Sequence, residues 1–403
     1  MFSKNRTLIY LSQLLSRIAA SRRSKTAASH PPEPVLGIRD FCEGEPQKRA
    51  MICLSPAAWR DAVAQYPDIR FFNVAGFTWQ VVRAFNQRGY EVDIFEHRAA
   101  NVPDTSGYSL SFVHGPHMRA VIDRLPKNCF VLHYCSGAYW REFNRMSRER
   151  YDAFCSRKGI PPIRDFERSL GGLEDGEDYI IKRCDASFCS GPRTTATYGP
   201  LAEKMELLYL AAQVEADLLC PDRDFAAGRQ NFIYVAGTGG NIQKGLDVLL
   251  EAFSRTPELH LYIYCKVEPE VSKVYDRELS LHNVHYIYHL SRTNRKKLRN
   301  ILRRINFTVS APIDTGPGTA MLGSLGLGLI PVGYIDIEAT ESDSVLCDDP
   351  SVDSVIAAIR GAAAQTPEWC RNASLATLER FERLHQPESF GRNFKAYLKR
   401  LGL

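Results

Sequence analysis

Between Phe232 and Phe253 the sequence reads FIYVAGTGGNIQKGLDVLLEAF, and the residues that could do chemistry sit at its centre. Gly237, Gly239 and Gly240 leave the main chain uncovered and free to take positive φ. Their amides can then point at an anion, and a following helix adds its positive end. Lys244 stands at or near that helix start, within reach of a phosphate, and Gly245 lets the backbone come close. The spacing fits neither the P-loop, which needs GK[ST], nor the GxGxxG dinucleotide turn. Phosphate or diphosphate binding is the chemistry this turn suits; a glycine-rich turn without a ligand is the alternative.

A second polar loop lies downstream in VSAPIDTGPGTAMLGSLGLGLIPVGY. Gly316 and Gly318 can approach a diphosphate, while Asp314 can accept hydrogen bonds from sugar hydroxyls. Pro312, Gly316, Pro317 and Gly318 would also serve any tight turn, and Gly326 and Gly328 would also allow helix–strand contact. In the first half, His114 and His117 of FVHGPH follow an expected strand, and Ser136 and Gly137 end another. His133 reads as an inward strand residue. The acidic stretches DGED (Asp175–Asp178) and CDDP (Cys347–Pro350) read as surface loops, and no metal site is expected.

These loops need strands and helices to hold them. RAMICLSP is a short apolar strand; FFNV is strand-like, Gly76 turns the chain, and Val81, Val82 and Phe85 mark a helix face that Gly89 closes. YEVDIF, YSLSFVHG, CFVLHYCSG, DASFCSG and MELLYLA continue the strand pattern. REFNRMSRERYDAFCSRKG reads as a helix with a solvated, charged face. CPDRDFAAGRQN carries turn formers and reads as the interdomain linker. FIYVA, LHLYIYCK, NVHYIYHL, NFTVSAP and LIPVGY then alternate with helix-like segments, the mark of parallel βαβ units.

A chain of 403 residues exceeds what one core usually serves, so two domains are expected. A net charge of +5 is mild and does not mark a nucleic-acid binder. Eleven cysteines without a CxxC pair suit a reducing, cytoplasmic setting. NRTLIYLSQLLSRIAASRRSK carries apolar residues at helical spacing among basic ones. It reads as a helix packed on its own domain, a peripheral contact with an anionic membrane, or, in a eukaryote, a presequence. The basic segment NRKKLRNILRR has an apolar stripe with charges facing water, and could join that membrane contact.

In this order the stretches from Arg49 onward resemble the glycosyltransferases of the two-Rossmann-domain type (the GT-B fold), and among them the retaining family-4-like group. VAGTGGNIQKGLDVLLEAF is similar to that family's strand, glycine loop, Lys-Gly pair and helix. NVHYIYHLSRTNRKKLRNILRRINFTVSAP is similar to the stretch leading to the donor-sugar loop, and DTGPGTAMLGSLGLGLIPV to the loop and helix that follow. The helix ending in GYEVDIF is similar to the family's Gly-His-Glu-Val turn, and SLATLERFERLHQPESFGRNFKAYLKRL to its closing helices.

The resemblance implies an α/β architecture, two Rossmann-like domains facing across a cleft, with the C-terminal helix crossing back to the N-terminal domain. The boundaries then run as a basic amphipathic segment and proline-rich linker over 1–45, an acceptor-side domain over 46–222, a donor-side domain over 223–365 and returning helices over 366–403. It implies a hexosyltransferase-like enzyme that moves a sugar from a nucleotide-sugar donor to a hydroxyl acceptor, a glycan or lipid-linked saccharide, with retention and with no metal or cofactor. Lys244 would stabilise the departing diphosphate. Gly237, Thr238, Gly239 and Gly240 would pack against the donor phosphates or reacting sugar. Asp314, Thr315, Gly316 and Gly318 would hold donor sugar and diphosphate, and Ser324 would stand near the ribose. His114 would be the catalytic contact from the first domain, with Gly76, Ser136 and Gly137 on the acceptor side. Thr238 stands where the family has Arg, and Asp314 or Thr315 and Gly323 stand where it has glutamates. These departures keep two alternatives open: a catalytically silent protein that binds a sugar or a partner, and a nucleotide-sugar epimerase.

Overall fold

A computed structural model describes residues 33–65, 74–96, 104–115, 118–161, 176–212, 214–237, 239–313 and 318–403. The basic N-terminal segment, residues 71–73 of FFNV, His117, Thr238, Asp314, Thr315 and Gly316 lie outside the described residues. The rest forms two compact units, one drawn from 29–144, 171–213 and 383–403, the other from 145–170 and 214–382.

The first unit carries seven strands among the described residues: β1 (Val35–Ile38), β2 (Lys48–Cys53), β3 (Tyr90–Phe95), β4 (Leu110–His114), β5 (Phe130–Cys135), β6 (Ala186–Cys189) and β7 (Met205–Leu207), in the order β1-β3-β2-β4-β5-β6-β7. All pairings are parallel except β1 with β3. The inner strands β4 and β5 are almost continuously buried because both faces of a parallel sheet are covered. β1 falls in the stretch expected to be linker; Asp93 fastens it at the sheet edge by accepting from the Gly37 amide at 2.7 Å.

The helix Val74–Asn86 buries Val81, Val82 and Phe85 as its spacing requires, and Gly89 follows it with φ of 77°. Val74 opens this helix, so Gly76 lies in its first turn and not in a turn ahead of it. The helix Pro387–Arg400 belongs to this unit, as the resemblance implies. Its Phe390 and Phe394 rings lie 5.3 Å from Phe77 and 6.0 Å from Phe85, and the Tyr397 hydroxyl donates to Ser187 O at 2.8 Å. Aromatic packing of this kind supplies much of a core's cohesion.

The second unit has a six-stranded parallel sheet, β10-β9-β8-β11-β12-β13, of β8 (Asn231–Val235), β9 (His260–Tyr264), β10 (Val284–Tyr286), β11 (Phe307–Ser310), β12 (Ile330–Gly333) and β13 (Val345–Leu346). Its helix Leu246–Ser254 is buried from residue 246 to 253, including Asp247 and Glu251. Those carboxylates face arginines of the helix Trp140–Lys158: Asp247 meets Arg150 at 3.2 Å and Arg157 at 2.7 Å, and Glu251 meets Arg157 at 2.9 Å. The solvated face expected of that charged helix is therefore partly an internal ion-pair face. Buried charges persist only when paired in this way.

The basic helix Arg295–Leu302 buries Leu298 and Leu302 on its apolar stripe. Its arginines are engaged at home, Arg295 by Glu215 and Asp217, and Arg303, just beyond it, by Asp222 at 2.9 Å. No helix among the described residues is long and apolar enough to cross a membrane.

Candidate functional site

Two groups of candidate residues come together, one in each unit. In the second unit β8 hands over to the helix Leu246–Ser254 through the glycine turn, as the change of period predicts. Gly239, Gly240 and Gly245 have φ of 77°, 68° and 84°, a region that side-chain-bearing residues rarely adopt. The close approach at Gly245 is to protein: a Cβ there would collide with the backbone of Ala311, just past β11. The Ile313 amide donates to Gln243 O at 2.8 Å. The glycine turn and the start of the second polar loop are therefore neighbours, as one binding site would need.

Lys244 folds back over this turn. Its ammonium donates to Gly239 O at 2.7 Å and lies 3.7 Å from where a Cβ on Gly237 would stand. The amide of Gly240, which the sequence suggests would face an anion, and the amide of Asn241 beside it donate to the two carboxylate oxygens of Glu268 at 2.9 and 3.0 Å. Asn241 is wholly buried, accepts from the Glu268 amide at 2.7 Å and donates to Lys266 O at 3.1 Å. Gly318 is exposed just ahead of the helix Thr319–Leu325. Ser324 does not fit the ribose contact expected of it. It is 3% exposed, donates to Met321 O at 2.5 Å and sits 2.9 Å from Thr308 Oγ1, so its hydroxyl is turned into the sheet.

In the first unit a pocket of about 180 Å³ opens beyond the C-terminal ends of β4 and β5. That is where open parallel sheets bind ligands. His114, Ser136 and Gly137 line it, with His133, Tyr134, Phe143 and Glu177. Gly76 is not among the lining residues; it is buried in its helix. His114 stacks on Tyr134 with ring centroids 5.1 Å apart, and its Nδ1 is 3.3 Å from Tyr134 O. His133 is 2% exposed, and burial together with the nearby His114 drives its pKa down to about 3, so it is neutral.

Glu177 is the residue the sequence did not disclose. The residues Gly176, Glu177 and Asp178 of the DGED stretch, expected as a surface loop, instead open the helix Gly176–Arg183. Glu177 accepts from the Tyr198 hydroxyl at 2.7 Å and from the Trp140 amide at 2.9 Å. Burial nevertheless raises its carboxyl to about 7. The next residue, Asp178, goes the other way: burial would raise it, but donors from Tyr139, Trp140 and Arg141 hold it below the usual range. Adjacent acids with opposed environments divide between proton carrier and fixed charge. The Tyr198 hydroxyl also lies 3.0 Å from Gly137 O, so the protonation of Glu177 is linked to a pocket-lining carbonyl.

No protein-family model and no curated protein matches the sequence. Among solved structures the chain is similar to sucrose-phosphate synthase from Thermosynechococcus elongatus, with a TM-score of 0.59 and 13% identity over 89% of this chain and 99% of that one. It is also similar to Anabaena HepE, solved in complex with UDP and glucose, with a TM-score of 0.50 and 10% identity over 88% of this chain and 100% of that one. At these identities the likeness establishes the fold: the chain has the GT-B architecture of two Rossmann-like domains.

Proposed function

We propose that the protein is a glycosyltransferase that moves a sugar from a nucleotide-sugar donor to a hydroxyl acceptor, with retention and without a metal. The observation that carries this reading is the Lys244 ammonium lying on the glycine turn at the end of β8. A structural neighbour with this fold was solved with UDP and glucose, which supports a nucleotide-sugar ligand. When the sugar leaves, negative charge collects on the nucleotide diphosphate, and a fixed cation beside it lowers the barrier. Asp314, Thr315, Gly316 and Gly318 would complete the donor site. His114, Ser136 and Gly137 would contact the acceptor, a glycan or a lipid-linked saccharide, in the pocket of the first unit.

The test is purified protein incubated with a panel of nucleotide sugars and candidate acceptors, followed by acceptor-dependent release of nucleotide. Lys244→Ala is expected to lower kcat by about 10²–10³, as loss of one charge-stabilising group does elsewhere. Near-normal kcat/KM in that variant would refute the assignment. The silent reading also has an observation in its favour: Gly240 and Asn241 already give their amides to Glu268. Donor binding without turnover across the panel would select it.

A further inference from the structure

The anion in the glycine turn belongs to the chain itself. Glu268 lies in the segment after β9 and places one carboxylate across two consecutive amides, those of Gly240 and Asn241. Successive amides converging at residues of positive φ make a concavity that suits a phosphate as well as a carboxylate. Both anions cannot take the same two protons. A phosphate drawn to Lys244 would also meet the negative charge of Glu268, which lies 3.6 Å from where a Cβ on Gly239 would stand.

The backbone around Glu268 is held independently of that carboxylate. Asn241 accepts from the Glu268 amide and donates to Lys266 O, and its side chain is wholly buried. The carboxylate arm can therefore swing away on its own torsions while the main chain stays in place. Lys244, bonded to Gly239 O on the same turn, would remain as the cation for whatever replaces it.

We infer that the Gly240 and Asn241 amides form a phosphate site kept filled by Glu268, an internal competitor that an incoming diphosphate must displace. The inference deepens the proposed function, since the diphosphate would be that of the donor, and it rests on that reading for the identity of the ligand. Isothermal titration with inorganic pyrophosphate examines the turn without any sugar chemistry. Full-length Glu268→Ala is expected to bind pyrophosphate about tenfold tighter than the parent, because two amides are released from charge-assisted bonds. Glu268→Gln, which keeps one acceptor but loses the charge, is expected to fall between them.

Unchanged or weaker pyrophosphate binding in folded Glu268→Ala would overturn the inference. Should that variant not fold, Glu268→Gln decides by the same criterion. Turnover of the nucleotide-sugar panel, run in parallel, separates the two claims. Tighter pyrophosphate binding with no sugar transfer leaves the competitor standing and removes the glycosyltransferase. Transfer with unaltered pyrophosphate affinity does the reverse.

Discussion

Replacing Glu177 by Gln isolates one ionisation inside the pocket of the first unit. Burial takes this carboxyl from 4.5 to about 7, against the opposing pull of the Tyr198 hydroxyl and the Trp140 amide. The folded state thus holds the proton more tightly than the unfolded chain. The stability this contributes is fully present below pH 4.5 and is lost as pH rises through about 7. At about 1.4 kcal/mol per pH unit, that interval amounts to about 3.5 kcal/mol. Glutamine cannot ionise. Its amide group can accept from Tyr198 but would turn a donor towards the Trp140 N–H, a penalty that is the same at every pH. Other titrating groups, His133 among them, act equally on both proteins and cancel in the difference. Urea unfolding of parent and Glu177→Gln at pH 5 and pH 8 gives the quantity directly. The parent is expected to lose about 2–3 kcal/mol relative to the variant between the two pH values. A difference that stays constant to within about 0.5 kcal/mol would show that the carboxyl is not held protonated, and would refute the reasoning.

The opposite sign is expected of His133, whose pKa falls from 6.5 to about 3 on burial beside His114. The folded state excludes its proton, so the stability is complete above pH 6.5 and declines on acidification by up to about 1.4 kcal/mol per pH unit. His133→Phe should flatten the acid limb of the stability profile, and an unchanged limb would exclude this origin. Asp247→Ala leaves Arg150 buried without its carboxylate, and is expected to cost about 3–5 kcal/mol in the unfolding of the second unit. A loss under about 1 kcal/mol in thermal or urea melts would mean that the Ala311 and Pro350 carbonyls, which also accept from Arg150, satisfy the guanidinium alone.

What the sequence discloses depends on whether a residue's partner is near it in the chain. The passage from β8 to the helix Leu246–Ser254 is legible because strand period, glycines and helical period follow one another within one window. The helix Pro387–Arg400 is placed through the family resemblance and not through a local signal of this kind. Arg150 and Arg157 look solvated because Asp247 and Glu251, which turn them inward, are 90 or more residues away. Glu177 looks like part of an acidic loop until Tyr198 and Trp140 are set beside it. Glu268 carries no signal in CKVEPEV; only the fold brings β9's trailing segment against the glycine turn. β1, four residues ending ahead of a turn-rich stretch, lacks both the length and the alternation that would mark it. Gly76 is misplaced for a related reason: Val74 extends FFNV as plausibly into a strand as into the helix it opens.

The return of Pro387–Arg400 to the first unit bears on how the polypeptide is made. On the ribosome, β1 to β7 all emerge before residues 214–382 of the second unit are synthesised, yet Phe390, Phe394 and Tyr397 emerge only after them. Until then the nascent sheet has an uncovered greasy flank, of the kind that attracts chaperones and promotes aggregation. The second unit, assembled from 145–170 and 214–382, awaits no later segment and can finish first. The half translated earlier therefore matures last, and a premature stop after residue 382 but ahead of residue 387 would leave it unfinished while sparing every residue of its neighbour.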